Sequence, residues 1–84
     1  MLPTPEERRD YIVGTIQNRI PEIKIRTELH DFQRELRVLF STGDFRKRSY
    51  HYIFHDFERR TNGMLISELT RYIETAYPKL AEVE

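Results

Sequence analysis

Cysteine is absent from all 84 residues, so neither a disulfide framework nor a thiolate zinc cluster can help hold this chain together. The absence fits a reducing compartment. An excess of charge of either sign is also missing: 14 basic residues balance 14 acidic ones, so no global field draws DNA or an anionic membrane. No apolar run approaches the roughly 18 residues of a membrane span. The leading MLPTPEERRD lacks the apolar stretch of a signal peptide, and the expected location is cytoplasmic. With three glycines there is no glycine-rich phosphate loop. Ser41, Ser49 and Ser67 have no neighbouring histidine and acid in a catalytic arrangement. The expectation is a protein without enzymatic activity or cofactor, one domain near the lower size limit for a self-sufficient core.

What the chain does have is punctuation. Pro3 and Pro5, Pro21, the run Ser41-Thr42-Gly43-Asp44, Asn62-Gly63 and Pro78 divide it into four blocks of helical length. Block one opens on Thr4-Pro5-Glu6-Glu7, a cap residue, a first-turn proline and a capping-box acid. Ile12, Val13, Ile16 and Ile20 follow at helical spacing. Block four carries Leu65, Ile66, Leu69, Tyr72, Ile73, Ala76 and Tyr77 in a 3-4 pattern that ends before Pro78. Block three runs from Asp44, read as an N-cap, to Asn62-Gly63, read as a C-cap.

Block two fits two descriptions. Leu29, Phe32, Leu36, Leu39 and Phe40 share one side of a helix that Thr27 caps and Gly43 ends. Yet residues 23–27 alternate like a strand, as do Leu36, Val38 and Phe40. A hairpin turning at 41–44 would pair residues 35–41 with 45–57. Helical periodicity in block three decides between them. It gathers Lys47, Arg48, His51, His55, Glu58 and Arg59 on one side and Phe45, Ser49, Ile53 and Phe57 on the other. One strand over that block would run about twice the usual five or six residues. The expected fold is all-α, a small bundle of about four helices. The alternative is α+β with a short antiparallel hairpin at 35–57; a short strand around residues 23–27 is compatible with the four-helix fold as well.

Three constellations invite chemistry. His51 and His55 stand four apart, with Glu58 or Asp44 available as a carboxylate, but zinc needs a clearer third ligand and no metal site is expected. Arg46, Lys47, Arg48, Arg59 and Arg60 give residues 42–63 five cations against Asp44, Asp56 and Glu58. On a helix Arg46 points away from Lys47 and Arg48, and ion pairs such as Asp56 with Arg60 would neutralise the face. Blocks three and four could also form a helix-turn-helix, although Met64–Arg71 is apolar and acidic where base edges would be read. The third is aromatic: ten residues are Phe or Tyr, with the excess in block three. Its apolar arc is wider than one core-facing stripe, and an aromatic arc beside Arg and Lys has the composition of protein interfaces. The functional expectation is a non-enzymatic protein–protein interaction module using Tyr50, Phe54, Lys47, His51 and Glu58. Its partner would be another protein or a second copy. The runner-up is a nucleic-acid-binding regulator using the five cations.

Overall fold

The computed structural model describes residues 3–30, 34–46 and 48–81. Helix α1 (Pro5–Arg19) leads into strands β1 (Lys24–His30), β2 (Glu35–Ser41) and β3 (Tyr50–Phe54). A 3-10 turn at Phe57–Arg59 then precedes helix α2 (Asn62–Ala81). The strands form an antiparallel meander in the order β1-β2-β3, with β2 in the centre. Both helices pack on one face of it. The fold is α+β, and the four-helix expectation is wrong for its two middle blocks.

The physical reason lies in side-chain period. In β2, Leu36, Val38 and Phe40 are buried at every second position, and across the ladder they meet Phe54, Tyr52 and Tyr50. On the other side they face Leu29, Thr27 and Ile25 of β1. Alternate residues of a strand leave by opposite faces, so one face of the sheet becomes apolar and enters the core. Block three is not one element. It holds a five-residue strand, well within ordinary strand length, preceded by an eight-residue connection and followed by a turn. The hairpin alternative had the right strands at 35–41 and near 50–54, but Phe45, Arg46, Arg48 and Ser49 do not pair with β2. Thr27 is mid-strand and caps no helix.

The outer blocks fold as their sequence patterns dictate. Thr4 caps α1 through a complete capping box: its hydroxyl accepts from the Glu7 amide (3.1 Å), and the Glu7 carboxylate accepts from the Thr4 amide (3.2 Å). Ile12 and Ile16 are fully buried, and Ile20 packs beside them. Asn62-Gly63 opens α2 instead of closing a preceding helix. Thr61 caps it, its hydroxyl accepting from the Met64 amide (3.2 Å). Leu65, Leu69 and Ile73 line the buried side of α2. The helix continues through Pro78 to Ala81, beyond the end expected before that proline.

Between β3 and α2 the chain turns sharply. Asp56 adopts a left-handed backbone (φ 54°), one of the few residue types that tolerates it. The Phe57 amide then donates to the Arg34 carbonyl (2.8 Å), and the Phe57 ring drops fully into the core. Above β2 the core is aromatic. Phe40 meets Tyr72 edge-on at 5.6 Å, and Tyr52 lies 4.7 Å from Tyr72. Burial and a hydrogen bond to Glu68 push the Tyr52 hydroxyl above its usual range.

Candidate partner-binding face

With both helices on one side, the opposite face of the sheet has no helical cover. The ladder register arranges that open face in rows across the three strands. Lys24 lies opposite Ser41; Arg26, Leu39 and His51 form the next row; Glu28, Arg37 and Ile53 the third. His30 and Glu35 form the last row, with His55 beyond the end of β3. All three histidines of the chain therefore stand on this one face.

The lower rows neutralise themselves. Glu28 and His30 approach to 2.6 Å, Glu35 and Arg37 to 2.6 Å, and His55 lies 3.6 Å from Glu35. The His30 hydrogen bond holds the Glu28 carboxyl below its ordinary range, and the Arg37 hydrogen bond does the same for Glu35. Above them Ile53 is 42% exposed, a large apolar side chain on an uncovered sheet surface. Leu39, half-buried, is its diagonal neighbour across the β2–β3 ladder.

The upper end is built by the connection between β2 and β3. Ser41 is almost fully buried; its hydroxyl donates to the Arg48 carbonyl (2.7 Å) and accepts from the Gly43 amide (3.1 Å). Asp44 caps no helix, and its carboxylate instead accepts from the Arg46 amide at 2.8 Å. The loop thereby folds back over the open face and sets the Phe45 ring 4.4 Å from the Arg26 guanidinium. Lys24, Arg26, Gly43, Asp44, Phe45 and Arg46 enclose a hollow of about 590 Å³. Lys24, Arg26 and Arg46 hold no ion pair among the described residues.

The sequence-expected contact residues do not share a surface. Tyr50 and Phe54 point into the helical layer, Phe54 at 1% exposure. His51 stands on the open face, and Glu58 is exposed at the far end, 3.7 Å from Arg34. Lys47 lies outside the described residues. Sequence reasoning placed Ile53 in the core and missed Lys24, Arg26, Leu39 and Phe45. The alternation across residues 24–29 and 50–55 was the signal that would have found most of them.

The cations of the nucleic-acid alternative are likewise dispersed. Arg48 reaches the Lys79 carbonyl (2.5 Å) near the end of α2, whereas Arg60 pairs with Glu68 (2.7 Å), in its second turn, rather than with Asp56. Eleven residues of α2, about 16 Å of helix, separate Glu68 from Lys79. Among the described residues, 44–61 hold no α-helix, only the 3-10 turn at Phe57–Arg59, and so supply no first helix of a helix-turn-helix. Among the described residues no three His, Asp or Glu groups converge as for a metal, and no helix is long and apolar enough to cross a membrane.

A second hollow, about 470 Å³, lies at the N-terminal ends of both helices beside Pro3, Arg8 and Phe57. Its central cation is spent on the fold. Arg8 donates to Asn62 Oδ1 (2.9 Å) and to the carbonyls of Phe57 and Arg60. Compared with protein-family models, curated proteins and solved structures, the chain matches none.

Proposed function

We propose that this chain is a non-enzymatic interaction module that docks another protein on the open face of its sheet. One observation carries the proposal: Ile53 is 42% exposed beside Leu39 on a face that neither helix covers. Exposed single apolar residues are common, but here two adjoin across the β2–β3 ladder on an uncovered sheet face. Charged groups that already satisfy one another border them below. An apolar centre with a polar rim is the anatomy of a protein interface. The expected aromatic anchors Tyr50 and Phe54 are replaced in this role by aliphatic ones.

The test is photo-crosslinking in the native host, with a photoactivatable residue at position 53 and a control at Met64, which is more exposed, at 59%, on α2. A discrete protein adduct from position 53, absent from position 64, supports the proposal. Nuclease-sensitive adducts would favour the nucleic-acid alternative, and adducts with a second copy would make the face a dimer contact. Equal labelling from both positions would sink it.

A further inference from the structure

The hollow at the upper end of the open face has a chemistry of its own. Three cations, Lys24, Arg26 and Arg46, line it against the single carboxylate of Asp44, which accepts from the Arg46 backbone amide; Arg26 alone lies over the Phe45 ring, and none of the three side chains is in an ion pair among the described residues. Elsewhere on the face the opposite holds, because Arg37, His30 and His55 each have an acid within 3.6 Å. Arg26 is also positioned in advance. The Phe45 ring under its guanidinium restricts a side chain that would otherwise lose freedom on binding. Phe45 is itself fixed by the loop bonds at Ser41 and Asp44.

We infer that this corner receives an anionic side group, a carboxylate or a phosphoryl group, from an acidic segment of the docked protein. The segment's apolar side chains then rest on Leu39 and Ile53. The inference builds on the docking role proposed above and names the partner's chemistry. Charge complementarity selects the occupant. A nucleic-acid strand presents a phosphate at every nucleotide and needs a cationic track to follow it. Here the unpaired cations stop at the Arg26 row, and the next two rows carry Glu28 and Glu35. A localised anion beside an aliphatic strip matches a peptide with an acidic anchor.

The test is amide-detected NMR titration of the labelled protein with short peptides alternating glutamate and leucine. The same peptides with phosphoserine for glutamate, a lysine–leucine control and a short oligothymidylate complete the set. Both acidic peptides are expected to move the amides of residues 24–26 and 43–46 together with those of Leu39 and Ile53. Arg26→Glu should weaken them at least about tenfold, and Arg46→Glu, a loop position outside the sheet, should do the same. Tighter binding of either acidic form identifies the group as phosphoryl or carboxylate. Shifts spread evenly over helix arginines such as Arg9 and Arg71 would overturn the inference. So would affinity indifferent to both reversals, or oligothymidylate binding as tightly as the peptides. Ile53→Asp separates the two claims: if it leaves peptide binding intact while Arg26→Glu abolishes it, the anion corner stands and docking on the face fails.

Discussion

The guanidinium of Arg8 lies 4.5 Å from the centre of the Phe57 ring and donates to the carbonyl of that same residue at 3.1 Å. One side chain of α1 thus holds both the ring and the backbone of the turn that precedes α2. A further donation to Asn62 ties in the first residue of that helix.

Arg8→Ala should therefore destabilise the domain by about 2 kcal/mol, since it strands several carbonyl and amide acceptors at once. In a domain of this size that is a fall of roughly 10 °C in Tm. Arg8→Lys keeps the charge but not the fork of donors, and thermal melts should show it recovering little.

Neighbouring residues in β3 should respond oppositely to truncation. Phe54 is buried under the helices, and Phe54→Ala should cost about 3–5 kcal/mol. Ile53 faces outward, so Ile53→Ser should cost about 1 kcal/mol or less. Urea midpoints for the two variants check this, and equal losses would contradict the strand.

Acid should weaken the lower rows of the open face. The folded carboxyls of Glu28 and Glu35 lie below the ordinary value of 4.5, so their ionised forms stabilise the fold above that pH, the Glu28–His30 pair only while the imidazole is protonated. As pH falls through the depressed folded values, the protonated carboxyls lose that advantage. Glu28 is exposed and Glu35 half-buried, and the effect is modest. A Glu28→Gln, Glu35→Gln double variant should show a flatter decline of urea midpoint with acidification than the parent.

Hydrogen exchange should be slowest in β2. That strand pairs on both sides, and three of its side chains lie beneath the helices. Its amides open only with the whole domain, whereas the outer edges of β1 and β3 face no further strand among the described residues. Amide exchange followed by NMR should rank β2 first; a maximum in β1 would contradict the meander.

The two helices were legible because their signals are specific to helices: a capping box at Thr4 and a sustained 3-4 pattern from Leu65 to Ala76. The middle was misread through a coincidence of periods. Residues four apart lie on the same side of a helix and also of a strand. Tyr50 and Phe54, or His51 and His55, therefore carry no information about which is present. The discriminating pairs are two apart. Tyr52 shares a face with Tyr50 and Phe54, and Ile53 shares one with His51, which only a strand allows. The open face was illegible for a further reason: Arg26 and Phe45 meet only because a loop folds back over the sheet, and no local pattern records that.

The two helices that cover the sheet come from opposite ends of the described chain. During synthesis the meander can pair as it emerges, since each strand joins its sequence neighbour. Its apolar side, including Phe40 and Phe54, then has only α1 to shelter it until Leu65, Leu69 and Ile73 have been made. A chain cut after residue 60 would hold a half-roofed sheet, sticky on the side that α2 otherwise covers. Such a fragment is expected to aggregate where the full domain does not.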